Sequence, residues 1–218
     1  MDLHNFLMKV LIYAPSVVFA ITLHEAAHGY VAMHFGDRTA YMLGRVTLNP
    51  VKHIDPIGTI LVPLATKLIG GFFFGWAKPV PVNFDNLRSP RWHGILVAFA
   101  GPFSNIVQVF IWAIVARVLL STVEPSGLVG PFWISIAEAG IEVNIMFALL
   151  NLLPILPLDG GRIVAGLLPP KLSYAYSRTE RYGLVILLLL VVTPVLSWVL
   201  GPLYVAAMRG TYSLFGFA

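Results

Sequence analysis

The chain has 218 residues, 58% of them hydrophobic and only 11% charged, with a formal net charge of +4 and no cysteine. That balance excludes an ordinary soluble domain, and the missing thiols exclude thiolate metal ligands, disulfides and a cysteine nucleophile. The positive charge falls mostly in loops, with no basic patch interleaved with aromatics, so it reads as membrane topology and not as nucleic-acid binding.

The first apolar stretch predicts a helix from about Asn5 to Phe35, stopped by Gly36-Asp37. Between Phe6 and Leu23 its only charge is Lys9. The stretch is too long for a cleavable signal peptide and is expected to stay on the chain. Its C-terminal part holds His24-Glu25-Ala26-Ala27-His28. Helical positions four apart differ by roughly 40° in azimuth and about 6 Å along the axis, so both imidazoles can aim at one point, with Glu25 beside it. Two neutral imidazoles suit zinc, and a neighbouring carboxylate can take a proton from water that the metal acidifies. This is the H-E-x-x-H pattern of zinc proteases. The same five residues arise by chance on amphipathic helices, but ionisable groups inside an apolar span are costly and are usually functional. His34 stands at the spacing of a third metzincin ligand. The turn glycine such a ligand needs is Val31 here, so His34 is read as an interfacial residue.

Arg38 to Asp55 is a mixed polar segment in which Arg45-Val46-Thr47-Leu48 alternates like a short strand. His53 is read as a loop histidine, with a place near the metal as the alternative. Ile57 to Trp76 is apolar but broken by Pro63, Lys67 and Gly70-Gly71, the pattern of a segment that dips into the bilayer and returns. Lys78-Pro79-Val80-Pro81-Val82-Asn83 is barred from helix by its prolines and reads as an extended strip with one free edge.

Gly94 to Leu120 predicts the next span. Its small residues Ala98, Ala100 and Gly101 favour close helix packing, and Asn105 is expected to bond across to another helix. Phe132 to Leu153 predicts another, with Glu138, Glu142 and Asn144 in its first half and Asn151 near its end. In Pro154-Ile155-Leu156-Pro157-Leu158-Asp159-Gly160-Gly161 the prolines break the helix and the glycines permit a turn, which puts Asp159 on irregular backbone. Such backbone at membrane depth needs protein or a water-filled cavity around it. Asp159 is therefore a candidate oxygen ligand for a two-histidine, one-carboxylate site, with a helix-capping role the alternative. Arg162 to Arg181 reads as a polar connection, Tyr182 to Leu200 as a further span, and Pro202 to Ala218 as an apolar tail.

If the two spans that carry the candidate ligands end on the same side, they run parallel and an odd number of crossings separates them. Gly94 to Leu120 supplies one, so Ile57 to Trp76 is expected not to cross. Arg38, Arg45, Lys52, Lys78, Arg88, Arg91, Arg162, Lys171, Arg178 and Arg181 then share one side, and the opposite loop, Ser121 to Gly130, has no Lys or Arg. The positive-inside bias makes that side cytoplasmic. Arg117 comes level with Glu138 and Glu142, where an interhelical ion pair is expected, with a water path or second cation site as the alternative.

The histidine motif, together with Asn151-Leu152-Leu153-Pro154-Ile155-Leu156-Pro157-Leu158-Asp159-Gly160-Gly161, resembles the site-2 protease family of intramembrane zinc metalloproteases. Gly44 to Pro50 and Lys78 to Val82 are similar to stretches of its small prokaryotic members, and the resemblance covers roughly residues 10 to 165. It implies one zinc ion per chain on His24, His28 and Asp159, Glu25 as general base, and Asn151 as a residue that positions substrate or stabilises the transition state. It further implies hydrolysis of peptide bonds in or near transmembrane segments of substrate proteins, without the PDZ or CBS domains of many relatives. The strip from Lys78 to Asn83 could pair with an unwound substrate by β-augmentation. The rival reading is a membrane zinc-binding protein or ion transporter without proteolytic activity.

The expected architecture is an all-α polytopic membrane protein, a bundle of about four to six spans with a small membrane-embedded strand or re-entrant element between the first two. It forms a single domain over 1–218, with a core at 5–165 and accessory helices at 182–218. The expected partners are the lipid bilayer and transmembrane protein substrates, with no nucleic acid, in the cell membrane.

Overall fold

In lipid a peptide group finds no partner except another peptide group, so long runs of Leu, Val, Ile, Ala and Phe fold as helices. The computed structural model describes residues 3–61, 78–123 and 130–217. Its helices are α1 (Leu3–His34), the short α2 (Thr39–Met42), α3 (Pro90–Thr122), α4 (Gly130–Asn151), α5 (Asp159–Leu167), α6 (Pro170–Ser177), α7 (Glu180–Val192) and α8 (Val195–Phe215). Helices α1, α3 and α4 are each long and apolar enough to cross a membrane. Helices α7 and α8 meet the same test only together, and they bend by 75° at the break between them, as a broken span or a re-entrant loop. The chain is thus a polytopic α-helical protein. Among the described residues there are three candidate spans, or four if the bent pair is one.

Helix α3 runs antiparallel to both α1 and α4. His28 meets the Val97 carbonyl while Phe19 meets the Trp112 ring, and Asn105 bonds Asn144 while Trp112 lies against Gly140. Helices α1 and α4 consequently run parallel, tied directly where the Ser16 hydroxyl donates to the Ile136 carbonyl. Gly140 sets how closely α3 and α4 approach, because a Cβ there would lie 2.3 Å from the Trp112 indole. Val109, Ala113 and Ala116 of α3 pack with Ala137, Ile141 and Ile145 of α4, and Tyr204, Met208, Tyr212 and Phe215 of α8 close this core. The segment from Pro202 is therefore a packed helix and no loose tail. Phe103, Phe110, Ile111 and Ile114 stay exposed on the outer side of α3, as a lipid-facing surface requires.

The C-terminus of α1 is locked to the chain before α3. Gly36 turns the backbone at φ +117°, a conformation a side chain would strain. The Asp37 carboxylate beyond it accepts from the Thr39 N–H and hydroxyl, the Asn83 N–H and the Asn86 amide. Burial acts to raise this carboxyl, and those hydrogen bonds outweigh it and hold the group below its ordinary range. Arg88 adds bonds from its guanidinium to the His34 carbonyl and from its N–H to the Phe35 carbonyl.

Several expectations need correction. Arg45 follows a turn and residues 46–48 bend, and no strand occurs among the described residues. The Arg45 N–H returns to the Ala40 carbonyl, so the alternation there reflects a buried Arg45 beside an exposed Leu48 and no ladder. The expected re-entrant element at Ile57 to Trp76 lies largely outside the described residues; Pro56–Leu61 is a π-helical turn. Asp159 opens a helix instead of standing on irregular backbone, and Arg162 to Arg181 folds into the rest of α5, α6 and the start of α7. Among the described residues Arg117 forms no ion pair with Glu138 or Glu142: its guanidinium donates to the Gly216 carbonyl, and Glu142 accepts from the Tyr13 hydroxyl at 2.7 Å. The helical fold of the tail brings that carbonyl within reach, which the sequence pattern does not disclose.

Candidate metal centre

His24 and His28 project from one face of α1 towards the helix start of α5, where Asp159 sits. One donor atom from each of the three residues lies within 4.8 Å of the others. His24 Nε2 is 3.1 Å from Asp159 Oδ2, His28 Nε2 is 3.4 Å from the same oxygen, and the two Nε2 atoms are 3.1 Å apart. Ligands at about 2.0–2.1 Å from a tetrahedral ion stand roughly 3.3 Å from one another. The triangle therefore has the dimensions of three zinc ligands.

The hydrogen bonds behind the rings agree. His28 Nδ1 lies 2.7 Å from the Val97 carbonyl and His24 Nδ1 lies 2.6 Å from Asn105 Oδ1. A carbonyl oxygen only accepts, so each Nδ1 carries the proton and each Nε2 presents a lone pair. Two lone pairs and a carboxylate oxygen thus converge on one point, and that oxygen, Asp159 Oδ2, is buried with no hydrogen-bond partner among the described residues. Such a concentration of acceptors is unfavourable unless a cation balances it. The donor set fits zinc.

Three glycines make room for this cluster. A Cβ at Gly101 of α3 would lie 2.4 Å from His28 Nε2 and 2.5 Å from His24 Nε2. Gly160 and Gly161 press the start of α5 against the backbone of residues 152–156, where side chains would overlap the Leu152 and Leu153 carbonyls and the Ile155–Leu156 peptide. Arg91 of α3 fixes the other end of α5 by donating to the carbonyls of Gly166, Leu167 and Leu168. Asp159 is thereby held from both directions.

Glu25 lies beside the two histidines on α1, and its Oε2 accepts from the Val80 N–H at 2.8 Å. Arg45, itself buried, donates to the Lys78 carbonyl of the same strip at 2.8 Å. The extended Lys78 to Asn83 segment is thus clamped against α1. Asn151, at the end of α4, donates its amide to the Phe147 carbonyl of its own helix. His53 is buried, its Nε2 3.0 Å from the Thr47 carbonyl, and it is no member of the metal-sized group; His34 is exposed.

Comparison with known proteins accords with the motif. The chain is 41% identical over 205 residues to YwhC of Bacillus subtilis (strain 168), a protein provisionally named a zinc metalloprotease, covering 92% of this chain and 89% of that one. The chain belongs to peptidase family M50, the site-2 protease family. The model of that family, described as Peptidase family M50, matches residues 118–193, which include Asn151 and Asp159. Similar too is Rip2 of Mycolicibacterium smegmatis, also provisionally named a zinc metalloprotease, at 30% identity over 83% of this chain and 66% of that protein. Rip2 of Mycobacterium tuberculosis (strain H37Rv) is 27% identical over 85% of this chain. No solved structure matches. The resemblance drawn from the histidine and aspartate motifs is therefore borne out, and with it a metalloprotease in a membrane.

Sequence reasoning missed part of the site. Gly101 and Asn105 read as a packing surface and an interhelical bond. Their spacing of four residues on a helix facing α1 was the available signal, but their partners are the candidate metal-binding rings themselves. The Val97 carbonyl and Val80 N–H are main-chain groups and carry no signal in residue identity.

Proposed function

We propose that this M50 member is an intramembrane zinc endopeptidase that cleaves substrate proteins in or near their transmembrane segments. The observation that carries the reading is the Nε2–Nε2–Oδ2 triangle with edges of 3.1, 3.4 and 3.1 Å, flanked by the Glu25 carboxylate. His24, His28 and Asp159 hold one zinc ion per chain. Bound zinc supplies Lewis acidity to a scissile carbonyl and to water.

The chain's own groups do the rest. Glu25, with Oε2 fixed by Val80, takes the proton of the attacking water and returns it to the leaving amine. Asn151 serves the developing oxyanion by turning its amide from the Phe147 carbonyl towards substrate. The substrate unwinds before attack because a helix engages its own carbonyls, and the Lys78 to Asn83 strip offers it an extended edge. Residues 1–218 act as a single domain, with a core over 5–165 and the helices of 182–218 packed against it. The site lies towards the cytoplasmic side, as the ten Lys and Arg residues grouped with it indicate.

Purified wild type and Glu25→Gln in liposomes with a set of single-span substrate proteins test this. Wild type is expected to shorten at least one substrate, and Glu25→Gln to bind zinc at one ion per chain without cleaving. Zinc binding with equal cleavage by both forms, or no zinc on wild type, would sink the reading. Because the chain has no cysteine, single cysteines placed at 52 and 171 report the side by labelling from outside intact cells. Labelling there would reverse the topology.

A further inference from the structure

The His24 ring is the start of a chain of side-chain amides that ends on main chain. His24 Nδ1 lies 2.6 Å from Asn105 Oδ1, and Asn105 Nδ2 donates to Asn144 Oδ1 at 2.8 Å and to the Ala20 carbonyl at 3.4 Å. Asn144 Nδ2 in turn donates to the Gly140 carbonyl at 2.8 Å. Asn105 and Asn144 are both 0% exposed.

Each link dictates the next. The Gly140 carbonyl accepts only, so it draws the NH2 of Asn144 and turns Asn144 Oδ1 outward. That oxygen draws the NH2 of Asn105, which turns Asn105 Oδ1 onto the ring. An oxygen there accepts only, so the ring proton sits on Nδ1 and the Nε2 lone pair faces Asp159 and His28. Reversing any one amide would set NH2 against NH2 or oxygen against oxygen in a buried site, at the cost of unpaired polar groups.

We propose that Asn105 is a positioning residue for the metal centre, oriented by Asn144, which fixes His24 in the Nδ1–H tautomer and holds its ring in place. The inference rests on zinc binding by His24 only for its consequence; the tautomer itself stands independently. His28 has the same service from the Val97 carbonyl, which no side-chain substitution removes. Asn105 is thus the one place where this support is encoded in a side chain. Loss of such outer support at metal-bound histidines typically weakens metal affinity about 10- to 100-fold.

The test uses the full chain in detergent as wild type, Asn105→Leu, Asn105→Asp and Asn144→Leu. Zinc affinity is read by chelator competition, and the His24 tautomer by 15N NMR of the ring nitrogens in zinc-stripped protein. Asn105→Leu is expected to lose about 10- to 100-fold in affinity and to show mixed tautomers. Asn105→Asp keeps an acceptor oxygen towards the ring, so its Nδ1–H tautomer is expected to persist, although its second oxygen then opposes Asn144 Oδ1 and the Ala20 carbonyl. Asn144→Leu is expected to fall between.

Wild-type affinity and a pure Nδ1–H tautomer in Asn105→Leu would overturn the proposal. If Asn105→Leu does not fold, Asn144→Leu decides, and an unchanged tautomer and affinity there would overturn it equally. Wild type without zinc affinity would end the protease reading, while the tautomer measurement would still decide the role of Asn105.

Discussion

The Glu25 carboxylate and the Val80 N–H meet at 2.8 Å, so the proposed general base also pins the strip that substrate would approach. The two roles can be separated. Glu25→Gln keeps an acceptor oxygen and should keep the strip in place while abolishing proton transfer, a loss of roughly 10²–10⁴-fold. Glu25→Ala removes both. Hydrogen exchange over residues 78–83 is expected to speed up in Glu25→Ala and not in Glu25→Gln. Equal protection in both variants would count against the anchoring role.

Gly101 sits where any side chain would intrude on the ring nitrogens. Gly101→Ala places a carbon about 2.4–2.5 Å from both Nε2 atoms, inside van der Waals contact. The expected result is a folded protein that copurifies with little or no zinc, measured by elemental analysis beside wild type. A full equivalent of zinc in Gly101→Ala would show that the rings move aside at little cost.

Asp37 gives a pH dependence with a definite sign. Its folded pKa lies below the ~3.9 of an unfolded aspartate. The stability it contributes is therefore complete above about pH 4 and is lost as pH falls through the lowered folded value. Asp37→Asn should cost about 1.5–3 kcal/mol at pH 7, because an NH2 then faces groups that donate. Thermal melts of both forms from pH 7 down to pH 2.5 should converge at the acid end. Parallel curves throughout would remove Asp37 as the cause.

Towards the other end of the bundle, the Tyr13 hydroxyl donates to Glu142 at 2.7 Å, where an Arg117 ion pair is expected from sequence. A double-mutant cycle on Tyr13→Phe and Glu142→Gln should show a coupling of about 1 kcal/mol, the size of a hydrogen bond to a charged group with some exposure. The matching cycle on Arg117→Leu and Glu142→Gln should show almost none. A larger coupling in the second cycle would restore the ion pair.

The sequence by itself determined the long apolar helices α1, α3 and α4, the three candidate ligands and the family, while the expected span from Tyr182 to Leu200 is broken between α7 and α8. Helical period places His24 and His28 on one face, apolar length marks α1, α3 and α4, and the Asn151 to Gly161 motif marks Asp159 across 130 residues of chain. Candidate ligands at the C-terminal ends of two spans also required α1 and α4 to run parallel, and the structure has them so. These are properties that residue type and spacing express along one dimension.

Tertiary structure alone decided what stands behind each candidate ligand. Asn105 holds His24 because α3 lies antiparallel between α1 and α4 at that height, and a polar side chain in a span does not announce its partner. The Val97 carbonyl, the Val80 N–H and the backbone that Gly160 and Gly161 press against are main-chain groups that nearly every residue type carries, so residue identity does not name them. Arg117 failed for the same reason: where the tail folds back as α8, a main-chain carbonyl comes nearer than the acids on the facing helix. Close packing selects partners by distance in space, and the linear code records only who is available.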